Sequence, residues 1–132
     1  MSSPLAIIFR IAAASVALAL LGAGAAFAQT PPYAYPLTIG TSPVQVLLGP
    51  NNARRRIVFQ NPNATALIAV CPAVSRVNSA AITCAVNGAG SITILPYASF
   101  TVDGVGQNGA LPSAWNGIAS APGSAITILE FE

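Results

Sequence analysis

From residue 37 onward the chain repeats one pattern, a short run of β-branched and aliphatic residues followed by a breaker made of Gly, Pro or Asn. YPLTIG, PVQVLLGPN, RRRIVFQNPN, TALIAVCP, SAAITCAVNGAG, SITILP, YASFTVDG, SAWNGIASAPG and SAITILEFE succeed one another at spacings near ten residues. Short strands spaced at 8 to 12 residues with turn signals between them predict an all-β fold. The expected architecture is a small antiparallel β-sandwich of jelly-roll or Ig-like type, over residues 37–132. After residue 36 no stretch beyond about ten residues joins helical apolar spacing to freedom from breakers.

The faces of these strands follow from alternation. In Ser91-Ile92-Thr93-Ile94-Leu95 and Ser124-Ala125-Ile126-Thr127-Ile128-Leu129-Glu130-Phe131, apolar residues alternate with Ser, Thr or Glu, so one face is buried and one is wet. The last strand is ambiguous, because Ile126, Ile128 and Glu130 share one side while Thr127, Leu129 and Phe131 share the other. Ile57-Val58-Phe59 and Ala66-Leu67-Ile68-Ala69-Val70 are apolar on both sides, as central strands are. These two are expected to form a hairpin across Asn61-Pro62-Asn63-Ala64, a turn-rich tetrapeptide. The predicted core is Ile57, Phe59, Leu67, Ala69, Ile92, Ile94, Phe100, Val102, Ile118, Ile126 and Ile128.

The N-terminus reads differently. One positive charge at Arg10, an apolar run and Ala26-Phe27-Ala28 before Gln29 have the form of a secretory signal peptide with an A-x-A cleavage site. Residues 1–28 are therefore expected to be a signal helix, removed on export. Uncleaved, the same helix would be a membrane anchor, and it is the only route to a membrane in this chain. Residues 29–36, QTPPYAYP, are expected to be an extended Pro-rich arm. The expected location is beyond the inner membrane: periplasmic, extracellular or on a virion.

Export changes the reading of Cys71 and Cys84, since the compartment outside the inner membrane is oxidising. A disulfide between them would close a loop of about 14 residues, which the chain-entropy account values at roughly 3 kcal/mol. The alternative is a pair of buried thiols. With no histidine and only these two cysteines, a structural metal site lacks its third and fourth ligands; no metal and no cofactor are expected.

Charged residues make up 6% of the chain, against about 25% in an average soluble domain. A surface so poor in charge is covered by small polar side chains or by other protein, which favours assembly or a neutral ligand over nucleic acid. The basic triplet Arg54-Arg55-Arg56 ends abruptly, without the broad basic stripe that nucleic-acid binding uses. In a strand, Arg54 and Arg56 would point one way and Arg55 the other. They are read as a strand mouth whose long stems cover apolar margin, and as an assembly contact that would meet Glu130 or Glu132 of a neighbouring copy.

Catalysis is not expected. Histidine and lysine, two common proton-transfer groups, are absent. The only acids of the chain are Asp103, Glu130 and Glu132, no G-x-S-x-G elbow occurs, and a paired-carboxylate site would need Asp103 to meet a C-terminal glutamate across a cleft. The stretch that most resembles a binding site runs from Asp103 to Gly117. There Trp115, with Asp103, Gln107, Asn108 and Asn116, has the platform and planar polar groups that a neutral glycan requires; alternatively Trp115 plugs one end of the core. Asn63-Ala64-Thr65 matches a glycosylation sequon, but Asn63 is read as a turn residue.

The order "RRRIVFQNPN", a short apolar strand, "ITILPYASFTVDG" and "SAWNGIASAPGSAITILEF" resembles small β-sandwich proteins of bacteriophage structural regions, over residues 54–131. The resemblance implies a virion-surface or fibre-associated role with no catalytic residues to transfer. Together these readings predict an exported, non-enzymatic structural or attachment protein with protein partners or self-assembly. The alternative is a secreted carbohydrate-binding module built on the Trp115 loop.

Overall fold

The computed structural model describes residues 32–75, 77–104 and 113–132. The expected signal helix and its cleavage site, Gln107 and Asn108 lie outside the described residues. Eight strands follow in chain order: β1 (Tyr33–Ile39), β2 (Val44–Leu47), β3 (Arg56–Gln60), β4 (Ile68–Pro72), β5 (Ile92–Ile94), β6 (Ser99–Asp103), β7 (Trp115–Ala119) and β8 (Ser124–Phe131). They form two four-stranded antiparallel sheets, β1-β8-β3-β6 and β2-β7-β4-β5. The pairs β1:β8, β2:β7, β3:β6 and β4:β5 nest inside one another. The chain is thus one long hairpin rolled over on itself, with β3:β8 and β4:β7 completing the two sheets.

The sheets meet over Ile39, Val46, Ile57, Phe59, Ile68, Val70, Ile94, Trp115, Ile126 and Ile128, all buried. Full burial of each such aliphatic side chain contributes about 1.5–3 kcal/mol relative to exposure. Phe59 of β3 and Trp115 of β7 join the layers directly, with ring centroids 5.1 Å apart and planes inclined by 47°. On the inward face of β7, Trp115 is followed by Gly117 and Ala119, all buried. A Cβ at Gly117 would stand 2.8 Å from Val46 Cγ1, so the missing side chain is what lets β2 close over β7.

Several expectations are corrected at this level. β3 and β4 do not form a hairpin; they lie in opposite sheets. The turn-rich tetrapeptide carries the chain across the sandwich instead, because buried Asn61 turns its amide inward and donates to Ala66 O (2.8 Å) and Ile94 O (3.0 Å). Asn63 then acts as a surrogate strand residue, donating to Ala125 O (2.7 Å) and accepting from Ala125 N (3.0 Å). In β4 it is Ile68 and Val70 that enter the inter-sheet core. Ala69 is buried on the other face and Leu67 is only half-buried; an apolar residue at every position gave no parity to read. Ile118 likewise faces away from the core, while Ile92, Phe100 and Val102 pack against its margin half-buried.

The run SAAITCAVNGAG is not a strand. Apart from one isolated bridge between Val74 and Ala81, it is a loop held by the disulfide Cys71–Cys84, whose Cα atoms lie 5.6 Å apart. Cys84 is buried and its sulfur lies 3.4 Å from Asn116 O. The loop therefore covers the outer face of β4, which explains why a strand of a two-layer fold is apolar on both sides. Tyr33 to Pro36, expected in the Pro-rich arm, belong to β1 and pair with β8. Pro36 is tolerated there because β1 is an edge strand, where a missing N–H breaks no ladder bond.

Candidate functional site

All the charged side chains among the described residues lie at one end of the sandwich, around the start of β3 and the end of β8. The triplet is split by a bend just before β3. Arg54 is buried and Arg55 and Arg56 are exposed, so the alternation expected for a straight strand does not hold. Arg54 Nε donates to Glu130 Oε1 at 2.6 Å, with the two side chains only 1% and 4% exposed. Its other nitrogens donate to Ser113 O (3.0 Å) and Leu48 O (2.8 Å). Glu130 sits on the β8 sheet, whereas Leu48 and Ser113 adjoin β2 and β7, so one guanidinium binds the two layers together.

Glu130 is inward-facing by the parity of Ile126 and Ile128, and without a partner its burial would cost several kcal/mol. Besides Arg54 it accepts from Asn51 Nδ2 at 2.6 Å, and that amide also reaches Glu132 Oε1 at 2.9 Å. The Tyr35 phenol completes the group. Its pKa is raised above the ordinary value of 10.0, first by burial and then by the charge of Glu130 and a hydrogen bond to it. A half-open pocket of about 410 Å³ lies over this cluster, rimmed by Tyr35, Val46, Leu48, Pro50 and Asn51. On the outer side, Arg56 Nε pairs with Asp103 Oδ1 and its guanidinium lies 5.7 Å from the Phe131 ring centroid. Arg55, Arg56, Asp103, Gly104 and Phe131 line a second, more open groove of about 400 Å³.

This arrangement ties the two sheets together through the hydrogen bonds of Arg54. Among the described residues no buried side-chain nitrogen or oxygen lacks a partner. Glu130 meets the arginine of its own chain, and Arg54 is not on the surface where a neighbour would find it. Of the triplet, only Arg55 and Arg56 remain as surface groups.

Of the residues expected around Trp115, the two that are described, Asp103 and Asn116, are not brought together with its indole. The indole is 2% exposed and packed on Phe59, so it offers no platform to a sugar and instead plugs the core. Asn116 is on the opposite face of β7, paired in register with Cys71. Asp103 belongs to the other sheet and is held by Arg56. The sequence does not mark Asn51, Tyr35 or Asn61 as site residues; Glu130 it marks by parity with two isoleucines and as a partner of the arginines, but of those in a neighbouring copy.

The class this geometry defines is an all-β protein of two stacked four-stranded antiparallel sheets, stapled by one disulfide. No family model matches the chain, and no curated protein matches it. Among solved structures, the chain is similar to one described as "Bacillus endospore appendages form a novel family of disulfide-linked pili", at 13% identity and a TM-score of 0.42, over 76% of this chain and 84% of that one.

Proposed function

We propose that this is an exported, non-enzymatic structural protein that works by contact through its surface, with copies of itself or with other protein. One observation carries this reading: large apolar side chains stand on the described surface while charge is gathered at one end. Tyr33, Tyr35 and Leu37 on β1, Val44 on β2 and Leu48 just after it are exposed, Tyr35 and Leu48 lining one pocket, and Leu95 and Tyr97 are 62% and 75% exposed on the turn before β6. Contiguous exposed apolar side chains mark contact surfaces.

Other features support the same reading. A disulfide belongs to oxidising compartments, in keeping with the signal-peptide form of residues 1–28. The nested strand order is that of an eight-stranded jelly roll, an architecture used by viral capsid and lectin domains. That is an analogy of fold alone, and it leaves the surface of a virion as one setting for the protein. Asp103 and Glu130 are each paired with an arginine of the same chain.

The test is to fractionate the producing culture and identify the mature N-terminus by peptide mass spectrometry. The expected result is a peptide beginning at Gln29 in sedimenting particles. A chain found only as soluble monomer in the medium would sink the structural reading, and an uncut Met1 in membranes would make the N-terminal segment an anchor.

A further inference from the structure

Two sheets leave four edges, and three of them are blunted. β1 contains Pro36, which has no N–H to offer. β2 has four residues, follows Pro43, and slips register against β7 between Gln45 and Leu47. β5 has three residues and is overlaid by its own loop, through Ala85 N–H to Ser91 Oγ (3.0 Å) and Asn87 N–H to Thr93 Oγ1 (2.9 Å). Proline, short length, irregular pairing and a covering loop are among the ways natural sheets protect their edges.

Among the described residues the remaining edge, β6, has none of these, and its one charged side chain, Asp103, is paired with Arg56. Ser99-Phe100-Thr101-Val102-Asp103 pairs with β3 in unbroken register and contains no proline, glycine or lysine. Asn61 N–H donates to Ala98 O (2.9 Å) at one end of this ladder, and Gly104 N–H donates to Arg55 O (2.8 Å) at the other. Main-chain groups alternate sides along an antiparallel strand. Phe100 and Val102 therefore bond toward β3, while Ser99, Thr101 and Asp103 direct N–H and C=O away from the sheet.

We propose that β6 is the docking edge for a second copy of this chain, whose own β6 adds antiparallel about Thr101. The proposal rests on the self-assembly reading above and names its contact. In this register Ser99 meets Asp103, Thr101 meets Thr101, and Asp103 meets Ser99. All of these residues project their main-chain groups outward, so each pair exchanges both hydrogen bonds. Facing threonines are a favourable cross-strand pair, and no like charges oppose each other. Asp103 is already balanced by Arg56, and the turn leading into the edge exposes Leu95 and Tyr97. The contact is a closed two-fold that joins two sheets into one. The Thr30-Pro31-Pro32 arm of a neighbour is a poorer occupant, because consecutive prolines donate no ladder bonds.

Thr101→Cys in the full-length chain, with the exported protein recovered and mildly oxidised, tests the register. Residues that exchange both bonds have Cα atoms about 5.5 Å apart, inside the roughly 4.4–6.8 Å that a disulfide spans. The expected result is a covalent homodimer formed at least about tenfold faster than by Thr38→Cys on β1 or by Ser99→Cys, because pairing holds the two thiols at high effective concentration. Thr101→Pro, which removes one outward N–H from each copy, should convert dimer to monomer in sedimentation velocity with an unchanged β-type circular-dichroism spectrum. If wild type sediments as an assembly but Thr101→Cys links no faster than Thr38→Cys, the β6 contact is wrong and the assembly reading survives. Linkage to a different protein from the same cells would also overturn the second-copy assignment. A wild-type chain that is monomeric at every concentration would defeat the assembly reading itself.

Discussion

Arg54 and Glu130, 76 residues apart in sequence, form an ion pair of 2.6 Å that is almost wholly excluded from solvent. Its counterpart at the other end of β3 is Asn61, 1% exposed and bonded to Ala66 O and Ile94 O. β3 is thus fixed at both ends by a polar side chain that crosses from its own sheet toward the other. Such groups contribute less to net stability than apolar packing of equal volume, but removing one partner is costly.

Arg54→Met should destabilise the protein by about 3–5 kcal/mol, since it leaves the Glu130 carboxylate buried without its cation. The double change Arg54→Met with Glu130→Leu should recover most of that loss. Arg55→Ser, on the surface of the same triplet, should stay within about 0.5 kcal/mol of wild type. Urea unfolding of the four proteins checks this; an Arg54→Met curve that overlies wild type would show that the pair does not hold the layers.

Trp115→Ala should cost about 3–5 kcal/mol through the lost ring contact and the cavity left in the core. The same burial predicts a blue-shifted indole emission that a panel of neutral sugars leaves unchanged. A saturable fluorescence change with any of those sugars would return Trp115 to a ligand site.

Replacing both Cys71 and Cys84 by serine should lower stability by about 3 kcal/mol on the chain-entropy account. The loss is expected to uncover the outer face of β4 as well, because the loop that covers it is tied there through Cys84. Hydrogen exchange at Ala69 and Cys71 main-chain amides, faster than in wild type while Ile57 and Phe59 stay protected, is the expected signature.

Tyr35 should ionise later than an ordinary phenol in an ultraviolet titration, and Tyr35→Phe should delete that late step. A folded-state pKa above the unfolded value means that the folded form favours the protonated phenol. Its contribution to stability is therefore complete below the unfolded pKa of about 10 and is lost as pH rises through the higher folded value. The stability of Tyr35→Phe should accordingly fall less steeply than that of wild type above pH about 10.

The sequence by itself determined the class of this fold. Its β-branched runs broken by Gly, Pro and Asn left no room for helices, and alternation placed Ile126 and Ile128 on one buried face with Glu130 beside them. The cysteine pair was also legible, because two cysteines in an export context have few other uses. Pairing order was not, because strand contact depends on which apolar face meets which, and Ile57-Val58-Phe59 and Leu67-Ile68-Ala69-Val70 carry no face signal. Only the tertiary structure decided that Asn61 would turn inward and send the chain to the opposite sheet instead of closing a hairpin. It likewise decided that Arg54 would be a buried tie and not a surface group, since the value of that guanidinium lies in an acid 76 residues away that no local pattern can bring to it.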